Sequence, residues 1–257
     1  MWKNFMRWKD FLISNLFRKR PFIILKIIVF IPQKYLVNQF EYSYTSGADI
    51  SRNRIEEDIL TAERIWEINI HHTITKIPNP VSGEINARYI SCKKNSSPQR
   101  EDLIKQYAQS DIITVFYVPG EDTDFGGCAS PRINDSDGKL KGTIFISDKG
   151  MSHRDILAHE IGHTLFARIE NGNVTTINPG SEHLSRPENA HSTNTDNLMH
   201  ANGNGQKLTT IQRQKALDSP FIRRSWWSDV VRRLLQIRYP IPGPRPPGPR
   251  PPGRPEL

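Results

Sequence analysis

The chain is poor in cysteine and has no long hydrophobic run. Its two cysteines, Cys92 and Cys128, permit one internal disulfide at most, which excludes a small scaffold held together by several disulfides and a four-cysteine zinc site. The longest apolar run covers ten residues, Phe22 to Ile31, and is interrupted by Lys26. A membrane-spanning helix needs roughly 20 apolar residues, so a polytopic membrane protein is also excluded.

The central part of the chain lacks an excess of positive charge, although the 257 residues together carry a formal net charge of +8. Residues 1–40 contribute +7 and residues 221–257 contribute +6, so residues 41–220 have a net charge of −5. A nucleic-acid-binding domain would carry positive charge on its folded body. We therefore expect no nucleic-acid partner, and we expect any contact with an anionic membrane surface to involve the basic ends.

Charge and composition divide the chain into four regions. Residues 1–40 are a basic amphipathic and apolar segment, which is an export leader, a membrane-surface helix or a helix docked on the protein's own core. Residues 41–220 form the main domain, and residues 221–239 form a second basic amphipathic helix. Residues 240–257 form a proline-rich tail, which is either a solvated end or a ligand for an SH3-like groove. The basic ends favour a secreted or membrane-surface location over the cytoplasm.

Hydrophobic patterning and turn residues predict the helices and strands of the main domain. Ser152 and Asp155 resemble a capping box at the start of one helix, and Asn171–Gly172 is expected to end that helix. Residues 171–207 are rich in polar residues and glycine and are predicted to be mostly irregular. The predicted helices are 51–70, 152–168 and 210–217, and the predicted strands are 84–91, 111–118 and 142–147.

The most informative motif is His159-Glu160-Ile161-Gly162-His163, which lies in the second of these helices. Residues four apart lie on one face of a helix, so the two imidazoles can bind the same metal ion. Nitrogen ligands suit Zn²⁺, which lowers the pKa of a bound water to about 7. Glu160 projects beside the histidines, where its carboxylate can act first as general base and then as general acid. The motif therefore predicts a zinc-dependent hydrolase.

A catalytic zinc site takes three protein ligands, and the motif supplies two. The downstream candidates are Glu182, His183 and His191. Glu182 follows the motif after 18 intervening residues, a spacing that resembles the gluzincin metallopeptidases. Those enzymes have an aspartate four residues after the glutamate, whereas this chain has Arg186. His191 is the favoured third ligand, and His183 and Glu182 stay open as alternatives.

The segment from His191 to Met199 resembles the end of a metzincin zinc site, where the third histidine is followed by a methionine in a tight turn below the metal. The resemblance implies that His159, His163 and His191 bind Zn²⁺ and that Met199 forms the Met-turn. It also implies an α+β zincin fold, with a mixed twisted sheet, an active-site helix and a smaller C-terminal subdomain. The substrate-aligning edge strand would contain Gly142, Thr143, Ile144, Phe145 and Ile146.

The sequence departs from the usual metzincin motif after the second histidine. The family continues with a glycine and a third histidine at the positions that Phe166 and Ile169 occupy here. We therefore expect the active-site helix to continue and the third ligand to return after an insertion.

These features predict a zinc-dependent metalloendopeptidase whose substrate is a polypeptide. A gluzincin-type hydrolase that uses Glu182 is one alternative. The other is a non-catalytic adaptor or membrane-surface protein with a structural zinc ion. A structural site would require a fourth protein ligand, which His183 or Cys128 would have to provide.

Overall fold

The computed structural model of the protein describes residues 20–37, 40–43, 45–48, 53–90, 97–120, 125–179, 191–201 and 205–224. Residues Arg20–Arg223 form one compact unit. The predicted basic amphipathic helices before residue 20 and after residue 224 lie outside the described residues. The proline-rich tail also lies outside them, as do Glu182 and His183.

A mixed sheet forms the centre of the compact unit. Its strand order is β4-β1-β5-β8-β6, and β7 pairs with the same β8 strand. Strands β4, β1, β5 and β8 run parallel to one another, whereas β6 and β7 are antiparallel to β8. The strands are β1 Phe22–Ile31, β4 Asn69–Pro78, β5 Ile113–Val118, β6 Gly127–Ala129, β7 Arg132–Ile133 and β8 Leu140–Ser147. Two hairpins lie outside this sheet: β2 Lys34–Val37 with β3 Phe40–Ser43, and β9 Ala167–Glu170 with β10 Asn173–Thr176.

Strand β1 corrects the predicted boundary between an N-terminal segment and a domain that starts at residue 41. The run Phe22–Ile31 lies between β4 and β5 in the main sheet and belongs to the same compact unit as the rest of the fold. A parallel strand that is buried on both faces reads as a continuous apolar run, which explains its likeness to a leader sequence. The domain therefore begins near Arg20.

Two hydrophobic clusters lie on opposite faces of the sheet. On one face, alternate residues of β1, β5 and β8 contact helices α1 (Arg54–Trp66) and α3 (Ile156–Phe166). On the other face, the intervening residues of these strands contact helix α2 (Pro98–Tyr107). A fourth helix, α4 (Thr210–Leu217), contacts α3. The described chain therefore has three layers, with α3 buried against the sheet.

Several predicted elements are confirmed, and others need correction. Helices near 51–70 and 210–217 and strands near 111–118 and 142–147 are present. The predicted strand 84–91 is wrong: Ala87–Tyr89 is a 3₁₀ helix, because the Asn86 side chain accepts the Arg88 amide and caps a turn. The active-site helix begins at Ile156 instead of near Ser152, since residues 148–152 form another 3₁₀ helix.

The expected continuation of the active-site helix is also wrong. Helix α3 ends at Phe166, and Ala167 begins a β-hairpin. Asn171 and Gly172 both have positive φ angles, 52° and 75°, and connect the two hairpin strands instead of ending a helix. Asn-Gly is the dipeptide that favours such a two-residue hairpin turn. Ile169 therefore lies in β9, where 41% of its surface is exposed.

The expected α+β fold class is confirmed in its general form: within the described residues, four α-helices accompany a mixed sheet. None of the helices in this part of the chain has the length and apolar character that crossing a membrane requires.

Candidate metal centre

Helix α3 places two histidines of the motif side by side. His159 and His163 are one turn apart, and their Nε2 atoms are 3.0 Å apart. Their rings meet edge to face, with 4.8 Å between the centroids. Two nitrogen atoms that bind one zinc ion at 2.0–2.1 Å in tetrahedral geometry lie about 3.3 Å apart. The two imidazoles are therefore close to the arrangement that a shared metal ion requires.

The structure brings His191 to the same point from the chain that follows the β9–β10 hairpin. Its ring centroid is 5.4 Å from that of His159 and 4.9 Å from that of His163. One nitrogen atom from each of the three histidines lies within 4.8 Å of the others. Within the described residues, no other group of three histidine, cysteine or acidic side chains converges in this way.

Backbone carbonyls of Leu198 and Met199 bind the His159 ring and the residue that follows His191. His159 Nδ1 donates to the Leu198 carbonyl at 2.6 Å, which leaves its Nε2 lone pair for a metal ion. The amide of Ser192, the residue after His191, donates to the Met199 carbonyl at 2.6 Å. The turn at residues 197–200 therefore contacts both the helix and the segment that carries the third histidine.

Met199 is fully buried beneath helix α3. A Cβ atom added to Gly162 would lie 2.5 Å from the Met199 sulfur and 2.9 Å from Cζ2 of Trp66. Trp66 Nε1 also donates to the Ala158 carbonyl at 2.9 Å, which ties α1 to α3. Glycine at position 162 therefore permits the close approach of the methionine and the tryptophan to the turn between the two histidines.

Burial keeps the three histidines neutral. It lowers the pKa of His159 to about 4, against the opposing effect of the Leu198 hydrogen bond and with further lowering by His191 and His200. The pKa of His163 lies well below its usual range because of burial and the charges of His159 and His191. Burial and the charge of His200 lower the pKa of His191 as well. Neutral imidazoles are the form that binds metal ions.

Glu160 lies on the sheet side of the same helix, with only 4% of its surface exposed. Burial raises the pKa of its carboxyl group to about 8, while a hydrogen bond from the Ala129 amide opposes this shift. A Cβ atom added to Gly127 would lie 2.9 Å from Glu160 Oε1. Glu160 is therefore adjacent to strand β6 and is held there by a backbone amide of that strand.

The predicted substrate-aligning strand is not an edge strand, and this prediction is corrected. Residues 142–146 of β8 are buried and pair with β5 on one side, and β6 covers the other side of residues 144–146. Among the described strands, β6 forms the edge of the sheet beside α3. The reason is that the chain forms β6 and then β7 before it enters β8, and both pair antiparallel with β8 on the side away from β5.

Strand β6 presents backbone groups away from β8. The Ser130 amide donates to the Thr143 carbonyl, and the Ser147 amide donates to the Gly126 carbonyl. In an antiparallel ladder these bonded pairs alternate with pairs whose amides and carbonyls point outwards. Gly127 and Ala129 are the outward residues, on the edge beside Glu160. Sequence reasoning missed this strand because three residues next to a glycine pair are too short for a period-two pattern.

Cys128 is disulfide-bonded and its side chain lies in the cluster on the opposite face of the sheet from α3. A thiolate from this residue therefore does not complete the histidine group. His183, the other residue considered as a fourth ligand, lies outside the described residues.

Three neutral and convergent nitrogen donors fit a zinc ion, and within the described residues no fourth protein ligand joins them. No known protein-family model matches the chain, and no curated protein is significantly similar to it in sequence. The functional assignment therefore depends on the geometry of the site.

Proposed function

We propose that the protein is a zinc-dependent metalloendopeptidase. The observation that carries the proposal is the convergence of His159, His163 and His191 beside Glu160, next to β6, the edge strand of the described sheet. Three histidine ligands with one open position are typical of catalytic zinc, whereas structural zinc sites have four protein ligands. Among the described residues only these three histidines converge, which favours a hydrolase over an adaptor with a structural zinc ion.

The three histidines would hold the metal ion. Bound zinc supplies Lewis-acid chemistry, since it lowers the pKa of water to about 7 and polarises a carbonyl group. Leu198 orients the His159 ring through its carbonyl, and burial keeps all three rings unprotonated.

Glu160 is the residue that moves protons. In its ionised form the carboxylate would take a proton from the attacking water molecule and deliver it to the nitrogen of the departing amine. A pKa of about 8 is close enough to neutral pH for both protonation states to be populated, as a group that first accepts and then donates a proton requires. The Ala129 amide holds the carboxylate at the edge of the sheet. Because β6 lies at the same edge, a substrate strand that pairs with Gly127 and with the carbonyl group of Ala129 would lie near Glu160, which already accepts the Ala129 amide. Recognition of an extended backbone makes few demands on the side chains of the substrate.

The metzincin affiliation is part of the proposal. Met199 lies buried below the histidines and close to Gly162, as the Met-turn comparison expects. The β9–β10 hairpin occupies the sequence positions at which metzincins usually have their third histidine ligand, so the third histidine of this chain lies later in the sequence. The disulfide at Cys128 supports an oxidising compartment, which agrees with export.

The test compares the full-length chain with Glu160→Gln, using cleavage of an unstructured protein such as casein and the zinc content of each sample. Glu170→Gln is the matched control, because Glu170 is exposed at the end of β9. We expect equal zinc content in all three proteins, with cleavage by the unsubstituted chain and the control alone. Cleavage by Glu160→Gln at the unsubstituted rate, or absence of zinc from the unsubstituted chain, would refute the proposal.

A further inference from the structure

We propose that Gln212, on helix α4, is a positioning residue of the metal centre. Its side-chain amide holds the turn whose carbonyl group orients His159. This inference rests on the proposed function, because it takes the three histidines to bind zinc. Gln212 lies outside the histidine motif and the segment from His191 to Met199, so the sequence pattern does not indicate this role.

Gln212 and Asn197 form a reciprocal pair of amide hydrogen bonds. Asn197 Nδ2 donates to Gln212 Oε1 at 2.9 Å, and Gln212 Nε2 donates to Asn197 Oδ1 at 3.1 Å. Gln212 Nε2 also donates to Asn178 Oδ1 at 2.8 Å, and Gln212 Oε1 accepts the Thr209 amide at 2.9 Å. Gln212 is fully buried and Asn197 is 4% exposed. A buried, paired amide is held in one orientation, because any other orientation would leave buried polar atoms without hydrogen-bond partners.

Asn197 connects Gln212 with the residues of the turn that contact His159 and the segment of His191. Its Oδ1 accepts the Met199 amide at 2.9 Å, which closes the turn at Leu198. The Leu198 carbonyl in that turn accepts the hydrogen bond from His159 Nδ1, and the Met199 carbonyl accepts the Ser192 amide beside the third histidine. Both contacts depend on where the turn lies, so the position of Asn197 determines them.

Backbone bonds that do not involve Gln212 keep the turn folded. The Leu198 amide donates to the Lys207 carbonyl at 2.8 Å, and the Lys207 amide donates to the Asp196 carbonyl at 3.0 Å. Loss of the Gln212 amide should therefore loosen the turn without unfolding it. A displaced Leu198 carbonyl weakens the orientation of His159, and removal of such a supporting contact typically lowers metal affinity 10- to 100-fold.

The test uses the full-length chain and Gln212→Met, which keeps the length of the side chain and removes both amide partners. Thr209→Ala is the matched control, since Thr209 Oγ1 accepts the Gln212 amide and caps α4 but does not contact Asn197 through its side chain. The measurements are the zinc Kd by chelator competition, the visible absorption spectrum of the cobalt-substituted protein, and the unfolding free energy of the metal-free protein.

We expect Gln212→Met to raise the zinc Kd about 10- to 100-fold and to change the cobalt spectrum. The control should lower the unfolding free energy while it leaves the zinc Kd within about threefold. Gln212→Asn keeps the amide group on a side chain that is one methylene shorter, so we expect an intermediate Kd. This variant also tests the inference if Gln212→Met does not fold.

Two outcomes would overturn the inference. An unchanged zinc Kd and cobalt spectrum in the Gln212 variants would show that the residue only stabilises the fold, while zinc binding by the unsubstituted chain would leave the proposed function intact. Failure of the unsubstituted chain to bind zinc would overturn both proposals. The zinc Kd of the unsubstituted chain therefore distinguishes the two failures.

Discussion

A methyl group at Gly127 should disturb the proposed substrate edge and its contact with Glu160. A Cβ atom there would lie 2.7 Å from Cγ1 of Ile156, 2.8 Å from Cγ of Glu160 and 2.9 Å from Oε1 of Glu160. Both contacted side chains project from α3, which is buried against the sheet. Strand β6 would therefore have to move away from the helix, because separations below about 3.0 Å are repulsive.

The size of the effect follows from two opposing contributions. Overpacking of a well-packed site typically costs about 1–3 kcal/mol. Replacement of a strand glycine by alanine recovers about 0.5–1 kcal/mol, because the unfolded chain has fewer conformations to lose. For Gly127→Ala we therefore expect a net loss of about 1–2 kcal/mol in the free energy of unfolding. The displacement of β6 should also reduce peptide cleavage at least tenfold while the zinc content stays unchanged.

The adjacent Gly126 provides a matched control. A Cβ atom added to Gly126 would lie 3.3 Å from the Gly150 Cα atom and 4.0 Å from the nearest Ile156 atom, so it is tight without a severe overlap. Urea unfolding and casein cleavage of Gly126→Ala and Gly127→Ala should differ clearly. Equal stability and equal activity of the two variants would refute the assigned contact between β6 and the active-site helix.

Three further predictions concern the third ligand, the support of α3 and the stability of the fold at different pH values. At zinc concentrations that saturate the unsubstituted chain, His191→Ala should bind no zinc, whereas Glu182→Ala should retain it. Dialysis followed by metal analysis checks this prediction. The reverse result would favour the gluzincin alternative. Trp66→Phe should lower the free energy of unfolding by about 1–2 kcal/mol, because the Ala158 carbonyl loses its indole donor. Urea unfolding measures this change, and an unchanged free energy would contradict the prediction. Burial raises the pKa of Asp58 to about 6 from its usual 3.8, so the folded protein favours the neutral acid. The contribution of this preference to the free energy of unfolding is present below pH 4 and is lost as the pH rises through 6. Relative to Asp58→Asn, the unsubstituted chain should therefore lose about 2 kcal/mol of unfolding free energy between pH 4 and pH 7 in urea titrations. Parallel pH curves of the two proteins would contradict this.

The local part of the candidate site could be predicted from the sequence. The spacing between His159 and His163 matches one helical turn, and the separation of side chains within a helix depends only on the local backbone. The periodic helices and the buried strands β5 and β8 were also predictable, because their apolar patterns repeat within a few residues. The burial of Met199 agrees with a role that its sequence context already suggested.

Errors arose where a local pattern fits two structures. The apolar run Phe22–Ile31 resembles a leader segment, but the sheet buries it on both faces as a strand. Asn171-Gly172 suits both a helix end and a hairpin turn, and the pairing of β9 with β10 decides in favour of the hairpin. The sequence of β8 fits an edge strand that binds substrate, but its pairing with β6 encloses it within the sheet.

The sequence by itself determined the helical pair of histidines, the adjacent glutamate and the general α+β composition, because these depend on local periodicity and residue chemistry. Only the tertiary structure decided that His191 joins the pair, that β6 instead of β8 forms the edge beside Glu160, and that the Gln212 amide holds the turn below the histidines. These features come from contacts between residues far apart in the chain. Such contacts depend on the packing of the sheet against its helices, which no local pattern encodes.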